Sequence, residues 1–349
     1  MPVNVRAFGA PASKAPLVPL TIERRDPGAT DVEIEILFCG VCHSDIHQVR
    51  DEWWPGIYPM VPGHEIVGRV ARTGAGVTKF KAGDMAGVGC FVDSCLACDP
   101  CKRGLEQFCL EGAAFTYNGT EMDRKTPTHG GYSQRVVVKE RFAVKVPAGL
   151  ELAAAAPLLC AGITTFSPLR QWKCKPGDRV GVVGLGGLGH MAVKLAAAMG
   201  AEVTMLSTSR SKEADAKRLG ALAFELTSDE KTFKKLAGRF DLVIDTISVD
   251  HDLNAYLGML RTEGAMVLVG VPPVPASFKA MSVILGNKKL AGSMIGGIAE
   301  TQEMLDFCAA KKITADVEVI PAGKINEAYD RMLKSDVRYR FVIDAASLA

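Results

Sequence analysis

RVGVVGLGGLGHMAVKLAAAMG (179–200) reads as a short apolar strand, a glycine-rich turn and a helix in direct succession. Within it Gly184, Gly186 and Gly189 take a G-x-G-x-x-G spacing. In that context each glycine has a use. The first permits the tight turn, the second lets a pyrophosphate approach the backbone, and the third allows close packing of helix on strand. The helix N-terminus adds free N–H groups and the positive end of its dipole. Glycine supplies 35 of the 349 residues, so the bare spacing recurs by chance and the strand–turn–helix setting carries the reading. The plain alternative is a glycine-rich turn with no ligand. The segment from Gly184 to Gly189, including Leu185, Gly187 and Leu188, is expected to cradle a dinucleotide.

The flanking sequence continues the pattern. EVTMLS, FDLVID and AMVLVG are short apolar strands, separated by the helical stretches SKEADAKRLG and DLNAYLGMLR. Such alternation indicates an α/β, Rossmann-type doubly wound parallel sheet with helices on both faces. The first 150 residues differ. DVEIEILF (31–38) alternates, EIVGRVART (65–73) and YSQRVVV (132–138) are strand-like, and Gly/Pro turns punctuate them. The texture changes near Ala153, where LAAAAPLLCAGITTFSPL is Ala-rich and helical. Strand-like DVEVI (316–320) and RYRFVID (338–344) resume after the parallel-sheet region, around the helix NEAYDRMLK (326–334). We therefore expect a discontinuous β-rich domain, 1–155 and 297–349, enclosing a nucleotide-binding domain at 156–296.

Bulk properties narrow the function. Hydrophobic residues make up 48% of the chain and charged residues 23%, and the net charge is +2. No Lys/Arg block is present, so neither nucleic acid nor an anionic membrane is expected as a partner. No apolar run reaches the eighteen or so residues of a membrane span, and the opening residues lack a signal-peptide pattern. A cytoplasmic protein is expected. Ten cysteines in such a chain point to metal rather than disulfides.

Two segments develop these points. The strand after the fingerprint ends in Ser207, Thr208, Ser209, Arg210, Ser211 and Lys212, with no acidic residue until Glu213. An NAD site ordinarily places a carboxylate there for the ribose hydroxyls, whereas hydroxyls and cations suit a 2′-phosphate. NADP(H) is expected, with loosely bound NAD as the alternative. CLACDPCKRGLEQFC spaces Cys95, Cys98, Cys101 and Cys109 so that one loop can wrap a tetrahedral zinc with no open position, a structural site. An iron–sulfur cluster is the rival. Cys90 falls outside the spacing and reads as an ordinary buried thiol.

FCGVCHSDIH, VPGHEIVG and APLLCAGITT offer further Cys, His and Glu ligands, but spacing alone does not join them. Here the chain resembles the zinc-dependent medium-chain alcohol dehydrogenases, within them the cinnamyl-alcohol-dehydrogenase-like NADP(H) enzymes. The resemblance runs over essentially the whole chain through GVCHSD, YPMVPGHEIVG, the four-cysteine lobe, LLCAGITT, GLGGLGH, STSRSK and GSMIGG. It implies a GroES-like catalytic domain beside the Rossmann domain. It also implies a catalytic zinc on Cys42, His64 and Cys160, with Glu65 either an alternating fourth ligand or a group supporting the ligands from behind, making two Zn²⁺ per chain. Asp45 would orient His64, while Ser44 and His47 would relay a proton. His43, Thr164, Thr246, Gly270, Ser293, Met294 and Ile295 would contact the cofactor, as would Ser207, Thr208, Ser209 and Lys212. Trp53, Trp54 and Phe115 would border the substrate. Cys39, placed by strand alternation on the Glu33/Glu35 side, and His190, beside the phosphate turn, would hold no metal.

The reaction so implied is hydride transfer between NADP(H) and an aldehyde/primary-alcohol pair, with aromatic, unsaturated or broad-range aldehydes favoured by the aromatic residues. A polyol dehydrogenase and a non-catalytic NADPH-binding relative are the alternatives. The resemblance also implies a homodimer formed near KKLAGSMIG (288–296).

Overall fold

The computed structural model describes residues 2–348. The chain divides into two compact units: residues up to Ile163 together with those from Gly296 onward, and Thr164–Ile295. The division thus falls eight residues beyond the expected boundary at 155/156, and the Ala-rich segment through Cys160 belongs to the first unit. Composition misplaced it because the segment looks like the opening helix of an α/β domain.

The Thr164–Ile295 unit carries one six-stranded sheet in which every pairing is parallel. Arg179–Val183 lies centrally, between Glu202–Ser207 and Phe240–Asp245; Ala223–Leu226 flanks the former, and Leu260–Leu268 then Lys289–Gly292 flank the latter. Strands buried on both faces need uninterrupted apolar side chains. Val183, Leu206, Phe240, Val243 and Met266 from the strands accordingly join Leu257 of the helix Leu253–Met259 in one core cluster. The strand order reverses direction at Arg179–Val183. The Gly184 turn therefore opens at the point where the carboxyl ends of an open sheet leave a crevice.

In the first unit the spine is the eleven-residue strand Asp31–Val41. It pairs antiparallel with Ile66–Thr73 on one edge. Its other edge is shared by Arg135–Lys139 along residues 31–35 and Arg340–Asp344 along residues 38–41. Val317–Pro321 then adds parallel to Arg340–Asp344. Strands from both ends of the chain thus complete one sheet, which makes this unit discontinuous.

Two local readings are corrected here. DVEIEILF does not alternate cleanly, because Glu33 is fully buried, its carboxylate held by Arg72 and Arg135. A bulge at Leu37, where Ile36 pairs with Gly68 and Phe38 with Val67, inserts one extra residue and inverts the parity beyond it. Cys39 pairs with Ile66 and so shares the face of Ile34 and Ile36, not that of Glu33 and Glu35. The Ala-rich stretch is likewise not one helix. Leu152–Ala155 and a tight turn at Ala156–Leu159 end at Cys160, whose φ of -130° and ψ of -69° are non-helical, before Ala161–Gln171 begins. Among the described residues no single helix is long and apolar enough to cross a membrane.

Candidate active site and metal centres

Cys42 is the N-cap of the helix His43–Val49, His64 and Glu65 lead into the strand Ile66–Thr73, and Cys160 occupies the break just described. One donor atom from each of Cys42, His64, Glu65 and Cys160 lies within 4.8 Å of the others, and all four residues are buried. The two sulfurs are 4.0 Å apart, close to the ~3.8 Å expected of two thiolates about 2.3 Å from one tetrahedral ion. Glu65 Oε2 is buried without a hydrogen-bond partner, as a ligand oxygen facing an ion would be. Gly40 makes room for it, since a Cβ there would fall 1.9 Å from that oxygen. The donor set fits zinc.

The surroundings orient these donors. Asp45 is completely buried and accepts from the Cys42 N–H at 2.9 Å, the Gly63 N–H at 3.3 Å and the Tyr132 hydroxyl at 2.9 Å. Its Oδ1 lies 3.1 Å from His64 Nδ1, an arrangement that leaves Nε2 as the free donor. Burial acts against a charged His64, but the Asp45 carboxylate outweighs it and holds the imidazole pKa well up. Contact with Cys160, opposed by burial and aided by the charge of Arg340, favours a Cys42 thiolate. Burial raises the Glu65 pKa to about 7 against the pull of Arg340, with which Glu65 forms a fully buried ion pair. Cys90, 3.8 Å from the Leu159 carbonyl, borders Cys160 rather than the four-cysteine lobe.

Ser44 Oγ is 3.5 Å from Cys42 Sγ. One turn further along the same helix, His47 Nδ1 meets Glu52 Oε2 at 2.5 Å. The His47 ring stacks on Trp53 at 4.9 Å, Trp53 meets Trp54 at 5.7 Å, and Trp54 meets Phe115 at 6.4 Å. The three aromatic residues named from the sequence therefore form one row ending on His47. His43 is exposed, its ring 6.5 Å from that of His47.

Cys95, Cys98, Cys101 and Cys109 form a second cluster within 4.8 Å. Backbone N–H groups point at its sulfurs: Cys95 to Cys109 Sγ and Cys98 to Cys95 Sγ at 3.4 Å, Leu110 to Cys98 Sγ at 3.5 Å. The Leu110 and Cys101 N–H groups lower the Cys98 pKa to about 6. Such donors stabilise thiolates, which are the metal-binding form. Four sulfurs and no fifth donor fit a closed zinc site.

In the other unit the phosphate turn has the shape expected of a dinucleotide cradle. Gly184 has φ +86°, and a Cβ on Gly189 would sit 1.9 Å from the Gly184 carbonyl oxygen. A Cβ on Gly186 would meet nothing within 4 Å, so this side of the turn is open. Lys212 Nζ donates to the Leu185 carbonyl at 2.9 Å, tying the turn to the STSRSK segment. Ser209 and Ser211 hydroxyls are 2.8 Å apart, Ser207 is buried and Thr208 exposed. Glu213, the first carboxylate, is engaged by Lys217 at 2.8 Å and Arg210 at 3.5 Å. The segment fits a phosphorylated ribose. Thr246 is committed to the turn, its hydroxyl donating to the Val183 carbonyl at 2.7 Å. Gly270 allows close approach, as a Cβ would stand 2.1 Å from the Ile247 carbonyl oxygen. Thr164 is buried, the Ser293 N–H donates to the Leu268 carbonyl at 3.1 Å, Met294 is exposed and Ile295 has φ +53°. His190 Nδ1 lies 3.3 Å from the Gly186 carbonyl oxygen.

Sequence reasoning missed Arg340, Tyr132 and Glu52. No local pattern marks them, because each reaches the site through long-range pairing or the turn after a helix. An arginine opening the largely apolar strand RFVID was a faint signal for Arg340 alone.

A parallel-sheet dinucleotide unit and a β-rich unit with one closed and one mixed-donor metal cluster define a zinc- and nucleotide-dependent dehydrogenase. Comparison with known proteins agrees. Residues 28–148 match the alcohol dehydrogenase GroES-like domain and residues 187–310 the zinc-binding dehydrogenase family. The chain is 56% identical over 346 residues, 99% of each chain, to NADP-dependent alcohol dehydrogenase C 1 of Mycolicibacterium smegmatis. It is 51% identical to aldehyde reductase YahK of Escherichia coli, again covering 99% of each. The crystal structure of a cinnamyl alcohol dehydrogenase from Helicobacter pylori complexed with NADP(H) superimposes with a TM-score of 0.93 at 44% identity, covering 99% of each chain. This chain belongs to the zinc-dependent medium-chain alcohol dehydrogenases, in their cinnamyl-alcohol-dehydrogenase-like branch.

Proposed function

We propose that this protein is a zinc- and NADP(H)-dependent alcohol dehydrogenase that interconverts aldehydes and primary alcohols, with aromatic, unsaturated or broad-range aldehydes as substrates. The observation that carries the reading is the buried cluster of Cys42, His64, Glu65 and Cys160 beside Ser44, with the Trp53–Trp54–Phe115 row ending on His47 of the same helix. Cys42, His64 and Cys160 hold the catalytic zinc, Glu65 is its exchangeable ligand, and the four-cysteine lobe holds the structural zinc. When bound, zinc supplies Lewis acidity toward the substrate oxygen and NADP(H) supplies or accepts the hydride.

The chain's own residues do the rest. Asp45 fixes the His64 tautomer and braces the start of the helix that carries Ser44. Ser44 exchanges a proton with the substrate oxygen, and His47, half-exposed and held by Glu52, passes it to solvent. The aromatic row offers flat apolar surface to an unsaturated or aromatic body. Polyols need hydrogen-bonding walls there, so the polyol reading is not favoured. A non-catalytic role is disfavoured by the intact donor set and Ser44. Lys212 with the Ser207–Ser209 hydroxyls holds the 2′-phosphate.

The protein works as a homodimer in the cytoplasm. Lys289–Gly292 is an edge strand of its sheet, and the preceding Phe278, Met281, Ile284 and Leu285 are exposed. Such an edge with an apolar flank calls for cover. The test is a panel of aromatic, unsaturated and short aliphatic aldehydes and of polyols, followed at 340 nm with NADPH or NADP. Oxidation of NADPH by aromatic and unsaturated aldehydes is expected. Activity confined to polyols, or none with any member despite NADPH binding, rejects the assignment.

A further inference from the structure

A cleft of about 250 Å³ lies within the first unit, on the face of the His43–Val49 helix and its cap that carries Ile46, Val49 and Arg50. Ile46 and Val49, three apart, share one helix face, whereas Ser44, two residues before Ile46, lies on the other side of the helix. The N-terminal loop around Leu17 and the helix Ile325–Leu333, through Tyr329 and Asp330, form the other walls. None of these residues has a part in the reaction described above.

The lining has two chemical characters. Leu17, Ile46 and Val49 are buried and make an apolar floor. At the rim Arg50 is half-buried and forms no ion pair among the described residues, whereas Asp330 is exposed and solvated. Lys14, also at the rim, is drawn on by Asp51. The planar guanidinium of arginine binds carboxylates by two parallel hydrogen bonds, and Arg50 brings one to the rim without an ion-pair partner among the described residues. The volume is below the ~300 Å³ where drug-sized pockets begin, which restricts the occupant to a small molecule.

We propose that the cleft is a binding site for a small monocarboxylate with an apolar body, its carboxylate on Arg50 and its body against Leu17, Ile46 and Val49. The site is separate from the zinc cluster but touches its supports. An occupant bears on the helix that carries Ser44, Asp45 and His47, and on Tyr329, whose buried hydroxyl neighbours Asp45. Occupancy therefore changes turnover without competing for the substrate position.

The experiment is calorimetric titration of benzoate into the zinc-loaded, NADPH-bound enzyme, with and without saturating primary alcohol. Binding with a Kd of about 1 mM or tighter is expected, unaffected by the alcohol. Arg50→Gln should weaken it at least about tenfold, and Ala15→Trp, which fills the cleft beside Leu17, should abolish it. Both substitutions lie at the surface or half-buried and should leave zinc content and NADPH affinity unchanged. Absence of binding up to about 10 mM, displacement by alcohol, or equal affinity in wild type and Arg50→Gln would each overturn the proposal.

Discussion

At the scale of single residues, the site works through neighbours that hold a few atoms in place. Ser44 Oγ is 3.5 Å from Cys42 Sγ, a proposed zinc ligand, and so is placed to meet the oxygen of the proposed substrate. Ser44→Ala should lower kcat by about a hundredfold or more, the ordinary scale of a lost proton-transfer group, with zinc content intact. Wild-type turnover in that variant removes the relay. Lys212 provides a second test. Lys212→Asp places a carboxylate where the 2′-phosphate is proposed to sit, so NADPH binding should weaken far more than NADH binding. An unchanged ratio of the two dissociation constants, read by fluorescence titration, rules out that role.

At the scale of elements, the decisive features are where regular structure stops. The Ala-rich segment breaks at Cys160, and Cys42 caps the start of the His43–Val49 helix, so the two sulfurs proposed as zinc ligands sit at ends where side chains can be aimed. The fingerprint helix shows the same dependence on a close approach. Gly189→Ala would drive a methyl group to within 1.9 Å of the Gly184 carbonyl. The turn and the helix must then separate, and NADPH affinity should fall by about tenfold or more while the zinc content stays at its wild-type value. An unaltered dissociation constant would show that the turn does not bear on the pyrophosphate. The bulge at Leu37 belongs here too. It changes which face Cys39 occupies, a result that a strict two-residue alternation cannot anticipate.

At the scale of the whole molecule, the two clusters are independent of each other in donor type and in consequence. Metal analysis should find two zinc ions per chain. Cys98→Ser should remove one of them and lower thermal stability, because a structural zinc contributes folding energy directly. Cys160→Ser should remove or loosen the other and abolish turnover with a smaller loss of stability. One zinc in the wild-type protein, or iron in either site, would contradict the assignment of the clusters.

The parallel sheet, the phosphate turn, the four-cysteine lobe and the choice of NADP(H) were legible in the sequence. Each is encoded locally, by apolar strand runs, glycine placement, cysteine spacing within fifteen residues, or the absence of a carboxylate before Glu213. The catalytic cluster was not legible from spacing, and only likeness to a family joined Cys42, His64, Glu65 and Cys160. Its donors are separated by up to 118 residues; the pairing of Asp31–Val41 with Ile66–Thr73 brings Cys42 beside His64 and Glu65, and Cys160 joins them from the break in the Ala-rich segment. Pairing of the same strand with Arg340–Asp344 delivered Arg340 to Glu65, and its register with Ile66–Thr73 placed Cys39 opposite to its expected face. Local chemistry is written in neighbouring residues; a charge partner from the far end of the chain exists only once the sheet has closed.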